Sequence, residues 1–158
     1  MIKKKLKITL INVPSARSEH IYYFNKLLED CNRSLEIFPD NGRYWERKAD
    51  IFYFSGKYEE SFKCYDKALN CDVYNKAELI SSKAQSLYKL KKYEKAIELF
   101  DEALKISNFV YAFKYKGYCL EELNKYDEAI DCYNKYLEIK PKDKEVLSKK
   151  SKLNEKIK

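Results

Sequence analysis

The sequence is short of the residues on which most site chemistry depends. It contains one histidine, three glycines, three prolines and one tryptophan in 158 residues. A lone His20 offers no histidine pair for a metal. It sits in an amphipathic stretch, where a surface or capping role is the expectation. The five cysteines (Cys31, Cys64, Cys71, Cys119 and Cys132) include no CxxC, so the spacing of a zinc site is missing. Three scattered glycines cannot build a glycine-rich phosphate loop. The acidic pairs Glu59/Glu60 and Glu121/Glu122 read as solvated helix surface. No metal, no cofactor and no catalytic residue is therefore expected.

Long hydrophobic runs are missing too. Nothing approaches the roughly 18 apolar residues of a membrane span. The start, MIKKKLKITLINVP, is basic like a secretion signal, but its apolar part is short and interrupted, and no small-x-small cleavage site follows. An odd number of thiols without a disulfide pattern fits buried free cysteines in a reducing compartment. The expected location is cytoplasmic.

What the chain has in quantity is charge and tyrosine, with a formal net charge of +7 and 15 tyrosines. The positive excess is local. Lys3, Lys4, Lys5 and Lys7 give +4 at the start and residues 140–158 give +5, which leaves 8–139 at −2.

The middle of the chain repeats itself. Tyr58–Val73 (YEESFKCYDKALNCDV), Tyr93–Asn108 (YEKAIELFDEALKISN) and Tyr126–Pro141 (YDEAIDCYNKYLEIKP) begin 35 and 33 residues apart. Each opens on tyrosine followed by an acid. A small residue (Ser61, Ala96, Ala129), an aromatic (Tyr65, Phe100, Tyr133) and a leucine (Leu69, Leu104, Leu137) follow in the same phase. A fixed period in this range marks a solenoid of stacked supersecondary units.

Each of these segments is preceded by a second helical pattern, giving hairpins Arg43–Ser55 with Tyr58–Cys71, Lys76–Leu90 with Tyr93–Ser107, and Phe109–Leu123 with Tyr126–Ile139. The first helices carry stripes at i, i+4, i+7: Trp45/Ala49/Phe52, Ile80/Ala84/Leu87 and Phe113/Gly117/Leu120. Small residues in the middle of each stripe, facing Ser61, Ala96 or Ala129, let the two helices approach closely. Before the hairpins, a helix from about Ser15–Ser18 to Phe38 reads as a degenerate leading element, stopped by Pro39-Asp40-Asn41-Gly42. After them, Lys144–Lys158 reads as a polar capping helix with Val146, Leu147, Leu153 and Ile157 on one side. Residues 1–14 form a basic tail. Leu6, Ile8 and Leu10 alternate as in a strand, Ile2, Leu6, Leu10 and Val13 would also make a helical stripe, and disorder is the third reading.

This arrangement resembles the tetratricopeptide repeat (TPR). That family's pattern runs from a large apolar residue to Gly or Ala, an aromatic or Leu, a turn, Tyr, Ala, an aromatic, Ala and a late Pro. Phe113, Gly117, Leu120, Tyr126, Ala129, Tyr133 and Pro141 follow it. So do Ile80, Ala84, Leu87, Tyr93, Ala96, Phe100 and Ala103, and Trp45, Ala49, Phe52, Tyr58, Ser61, Tyr65 and Ala68. The resemblance implies an all-α fold: an α-solenoid of three TPR helical hairpins (about 42–75, 77–109 and 110–143) with an irregular N-terminal helix and a C-terminal capping helix (144–158). Two departures stand out. Lys48, Lys83 and Lys116 replace the family's usual leucine, and Tyr136 replaces the second small residue of the last hairpin. The second departure supports a capped end after Pro141.

The resemblance also implies a function: non-catalytic protein–protein interaction, as adaptor or scaffold, with a peptide or helix of a partner held in the concave groove. Residues implied for that groove are Arg43, Glu46, Arg47, Asp50, Tyr53 and Phe54 in the first hairpin. The second contributes Glu78, Ser81, Ser82, Gln85, Tyr88 and Lys89, and the third Tyr111, Lys114, Tyr115, Tyr118, Glu121 and Glu122. Tyrosine and arginine suit this role because they concentrate binding energy. The alternative is that individual tyrosines only pack within their own hairpin.

The subclass that grips a C-terminal Glu-Glu-Val-Asp tail uses a basic clamp. Its places here hold Glu46, Asp50, Ser82, Tyr111 and Tyr115, so that ligand is not expected. Single-stranded RNA on the groove tyrosines and basic ends is a rival reading. The slightly acidic middle argues against it. Self-assembly through the apolar Leu6–Val13 segment is a further alternative.

Overall fold

The computed structural model describes residues 14–157. Readings of residues 1–13, as strand, helical stripe or assembly tail, lie outside the described residues, as does the His20 side chain. Eight helices are present among the described residues: α1 Pro14–Ile37, α2 Gly42–Phe54, α3 Tyr58–Leu69, α4 Lys76–Lys89, α5 Tyr93–Ile106, α6 Val110–Glu122, α7 Tyr126–Ile139 and α8 Lys144–Ile157. No strand occurs among the described residues. Pro14 begins α1, where its fixed φ and missing N–H suit a first turn. The described helices group into two compact units, divided between Asp72 and Val73.

In the first unit α1 packs on α2 and α2 on α3; in the second, α4 through α8 pack each on the next, and α4 also meets α6. Helices α2/α3, α4/α5 and α6/α7 are the three hairpins. Their turns share one geometry. Gly56, Lys91 and Asn124 are left-handed, with φ of 81°, 59° and 58°. The next amide in each case (Lys57, Lys92, Lys125) donates back to Phe52, Leu87 or Leu120 at 2.9 Å. This is the Schellman closure of a helix C-terminus, and it explains why a two-residue turn suffices.

The interior follows the period. Ala49, Ala84, Ser61, Ala96 and Ala129 are fully buried, and so are the aromatics Phe100 and Tyr133. At Gly117 there is no room for a side chain, because a Cβ would overlap the Tyr133 ring. Trp45 and Phe113 are only half-buried. Trp45 Nε1 donates to Pro39 O at 2.7 Å, and Lys67 lies 4.3 Å over its ring.

On the first helices of the first and third hairpins, a second buried stripe accounts for the unusual lysines Lys48 and Lys116. Lys48 Nζ reaches Asn32 Oδ1 of α1 at 2.7 Å, and Lys116 Nζ reaches Asp101 Oδ1 of α5 at 2.5 Å. Asn32 and Asp101 occupy the same place on their helices, one turn before the leucine (Leu35, Leu104). Each lysine thus ties its helix to the second helix of the preceding repeat. The flanking residues on that side are buried: Ile51 beside Lys48, and Ala112 and Cys119 beside Lys116. The lysine stem covers apolar surface where leucine ordinarily would, while the ammonium finds a fixed acceptor.

Helix α8 splits its apolar residues. Val146 and Leu153 are buried among Ala129, Cys132, Tyr133 and Tyr136 of α7. Leu147 and Ile157, expected on the same side, are 43% and 45% exposed. For Leu147 the cause is spacing: Val146 and Leu153 are seven apart and share one face, from which Leu147 is rotated by about 100°, whereas Ile157 is the last residue of the helix.

Candidate functional site

In the first unit the implied binding residues lie on α2. Arg43 and Arg47 are exposed, and Asp50, Tyr53 and Phe54 are half-buried. Asp50 accepts a hydrogen bond from Tyr65 OH at 2.5 Å. Tyr53 packs edge-on against Phe54 and Tyr58, both at 5.5 Å. The second unit repeats that last arrangement with Tyr88 and Tyr93 at 5.8 Å. In these two hairpins a tyrosine near the end of the first helix therefore meets the tyrosine that opens the second.

The second unit gathers a larger constellation. Tyr118 is the centre of a ring cluster, with Tyr88 at 6.2 Å, Tyr115 at 5.6 Å and Tyr133 at 5.9 Å. Tyr115 also stacks on Phe100, and Tyr111 leans on Tyr136 at 6.1 Å. The hydroxyls have fixed acceptors. Tyr118 OH donates to Glu145 Oε1 at 2.7 Å, Tyr133 OH to Glu121 Oε2 at 2.8 Å and Tyr136 OH to Asp143 Oδ2 at 2.8 Å. Lys114 bridges Asp143 and Glu145, at 2.9 Å to each, and Lys149 meets Glu121 at 2.9 Å.

Asp143 holds this corner. As the residue before α8 it accepts from the Glu145 and Val146 amides at 3.1 and 3.2 Å, as an N-cap does. Burial pushes its carboxyl up, but hydrogen bonds from Lys114, Tyr136 and the Val146 amide outweigh that and hold it down at about 2. Glu145 is likewise lowered, first by Lys114 and then by Tyr118. Burial would lower Lys114, yet its two carboxylate partners raise it. Tyr118 and Tyr133 are raised, first by burial and then by the carboxylates they bind.

Several of the implied residues are thus committed internally. Ser81 is fully buried, and its Oγ makes no hydrogen bond. Tyr118 is 7% exposed and Lys114 has 12% of its side chain accessible, because α8 supplies Glu145 and Lys149 across them. Gln85, Tyr88 and Tyr115 are half-buried, while Lys89, Tyr111 and Glu122 are exposed. Asp143, Glu145 and Lys149 are the members that the sequence reading missed. The signal was present, since Glu145 and Lys149 stand one 34-residue period after Tyr111 and Tyr115.

Burial raises the thiol of Cys119 to about 12, the opposite of an activated nucleophile. Among the described residues no cluster of His, Cys, Asp and Glu could hold a metal ion. No helix among them is long and apolar enough to cross a membrane.

Models of the tetratricopeptide repeat match residues 42–72, 77–108 and 110–143. The chain belongs to the tetratricopeptide-repeat family. A TPR repeat-containing protein of Methanocaldococcus jannaschii is 33% identical over 81 residues, 51% of this chain. The chain spans only 13% of that relative's length. Among solved TPR structures, MamA matches with a TM-score of 0.77 at 16% identity, covering 92% of this chain and 85% of its own. The fold class is therefore the expected one, an all-α solenoid of TPR hairpins. The first TPR of Spaghetti (RPAP3), bound to the HSP90 peptide SRMEEVD, matches with a TM-score of 0.70 at 25% identity, covering 74% of this chain and 95% of its own.

Proposed function

We propose that this TPR protein is a non-catalytic protein-interaction module, an adaptor or scaffold, which holds a peptide or helix of a partner against the tyrosine-lined face of α4 and α6. The reading rests on one observation above others: Tyr111 is 43% exposed beside a ring cluster in which the Tyr118 and Tyr136 hydroxyls are held by Glu145 and Asp143. A rigid aromatic surface loses little side-chain entropy when a ligand covers it. Tyr88 and Tyr115 belong to that cluster, Lys89 lies over the Tyr88 ring, and Gln85 and Glu122 stand on the same two helices. Arg43, Arg47, Tyr53 and Phe54 offer a separate surface on the first unit. The RPAP3 repeat was solved with a peptide ending in acid. At the places that the family resemblance assigns to an acid-gripping clamp this chain has Glu46, Asp50, Ser82, Tyr111 and Tyr115, and no base among them, so a ligand without a terminal acid cluster fits better. Free thiols throughout agree with a reducing, cytoplasmic setting.

The test is selection of ligands from a random peptide library, followed by calorimetric titration of the selected peptide. SRMEEVD serves as the comparison ligand and should bind at least ~10-fold more weakly, about 1.4 kcal/mol. With a three-hairpin surface the expected affinity is roughly micromolar. Tyr111→Ala and Tyr115→Ala should each weaken it by more than ~1 kcal/mol in a folded protein. Unchanged affinity in both would remove the site from this face.

A further inference from the structure

The last hairpin departs from the other two at Tyr136, which stands where they carry Ala68 and Ala103. All three residues are buried. A ring in place of a methyl group needs room, and this one faces the junction of α7 and α8. There Tyr136, Ile139, Lys140, Pro141, Lys142 and Asp143 line a cavity of about 330 Å³. At about 30 Å³ for each liquid water, that is the space of roughly eleven waters, enough for one aromatic side chain. The Tyr136 hydroxyl donates to Asp143 at 2.8 Å, which fixes the ring as a wall of the cavity.

The surroundings are apolar, basic and continuous with the tyrosine face. Exposed Tyr111 leans on Tyr136 at 6.1 Å and on Phe109 at 5.8 Å. Ile139 is 49% exposed, and Pro141 is exposed beside it. Exposed apolar residues standing singly mean little, whereas a connected group around a concavity marks a contact surface. Of the three charged residues in the lining, Lys140 and Lys142 are exposed. The third, Asp143, is already engaged by Lys114 at 2.9 Å, by Tyr136 and by the first amides of α8. An incoming group therefore meets an apolar floor and a basic rim.

We propose that this cavity is an anchor pocket for a partner segment that carries an aromatic side chain next to an aspartate or glutamate. The inference deepens the proposed function and rests on it, since the same segment would run from Tyr111 into the pocket. The aromatic ring fills the cavity against Tyr136 and Ile139, where ring pairs are favoured and a buried anchor concentrates binding energy. Its acidic neighbour stays at the exposed rim with Lys140 and Lys142, so its contribution falls as salt rises. SRMEEVD offers acids without a ring, in keeping with its place as the weaker comparison ligand.

Titrating the isotope-labelled chain with capped dipeptides, followed by amide chemical shifts, tests this. Acetyl-Asp-Phe-amide should move the amides of Ile139, Lys140, Lys142 and Asp143 saturably, with a Kd on the order of 1 mM. Acetyl-Lys-Phe-amide and acetyl-Asp-Ala-amide should each bind at least ~5-fold more weakly. Ile139→Asp, at a half-exposed position, should abolish the response with helicity intact. Lys140→Glu combined with Lys142→Glu should turn the preference towards acetyl-Lys-Phe-amide, an exchange that damage to the fold would not produce. Shifts that rise without saturating, or that are equal for all three dipeptides, would overturn the inference and leave an adventitious contact only. So would an unchanged response in Ile139→Asp. Tyr115 lies outside the cavity lining and reports on the tyrosine face. A library peptide weakened by Tyr115→Ala, with the dipeptides leaving residues 139–143 unmoved, would retain that face and reject the pocket. The converse pattern would retain the pocket and reject the face.

Discussion

Replacing Gly117 by alanine places a methyl group where Tyr133 already lies. The new Cβ would stand 2.4 Å from Cε1 and 2.7 Å from Cδ1 of that ring, against an optimum of about 3.5–4.0 Å between carbons. The ring has little freedom to retreat. It is fully buried, its hydroxyl is held by Glu121 at 2.8 Å, and its edge meets Tyr118 at 5.9 Å. In the first hairpin alanine is tolerated beside a tyrosine, because Tyr65 instead reaches Asp50. The place of Asp50 is taken here by Tyr118, so that alternative acceptor is missing. Overpacking costs about 1–3 kcal/mol, and this overlap belongs near the upper figure. Alanine returns about 1 kcal/mol of helix propensity. The net expectation is a loss of about 2 kcal/mol, or a fall in Tm of about 4–8 °C for a chain of this size. Thermal melts followed by circular dichroism read it directly. Ala84→Gly should also destabilise, by at least about 0.5–1 kcal/mol, because in the second hairpin the methyl has room. An unchanged or higher Tm for Gly117→Ala would refute the packing argument.

Acid should loosen α8 before the rest of its unit. Asp143 is held at about 2 against an ordinary 3.8, and Glu145 is also lowered. Carboxyls depressed by folding contribute stability above their unfolded values, and that contribution is lost as pH falls from about 5 towards 2. The urea midpoint should drop across this window, and Asp143→Asn should flatten the dependence. A slope identical in the variant would remove Asp143 from the explanation. For the thiols, Cys71 should react promptly with a disulfide reagent in the native protein. Cys31, Cys64, Cys119 and Cys132 are buried and should react only on unfolding. Five equally fast thiols would contradict that burial.

The hairpins were legible because their spacing is redundant. Three copies report each buried position, and the observed ends of the hairpin helices differ from the expected ones by at most two residues. The site was less legible because exposure depends on the neighbour and not on the residue. Ser81, Lys114 and Tyr118 stand at places that face a ligand in the resembling family. Here burial closes over Ser81, and Glu145 from α8 engages the other two. Periodicity alone could not show that, although α8 obeys the same period. The split of Leu147 from Val146 was hidden for a similar reason. A helix with two apolar faces looks like one with a broad face until its packing partners are known.

The lysine in place of leucine bears on how such a chain tolerates variation. A leucine between successive repeats depends on shape alone, and any apolar neighbour of similar volume satisfies it. Lys48 and Lys116 instead require an acceptor at one place on the preceding helix, which Asn32 and Asp101 provide. A register slip by one residue would rotate the acceptor by about 100° and leave the ammonium half-buried without it. The pair therefore contributes more to choosing the register than to overall stability, since exposed and half-exposed ion pairs are worth only about 0–1 kcal/mol. Lys116→Leu distinguishes the two roles. It should leave Tm within about 2 °C, because leucine packs well there, while amide exchange in α6 becomes faster as the interface samples shifted registers. If α6 exchange stays unchanged while Tm falls steeply, the lysine is a stabilising contact and not a register pin.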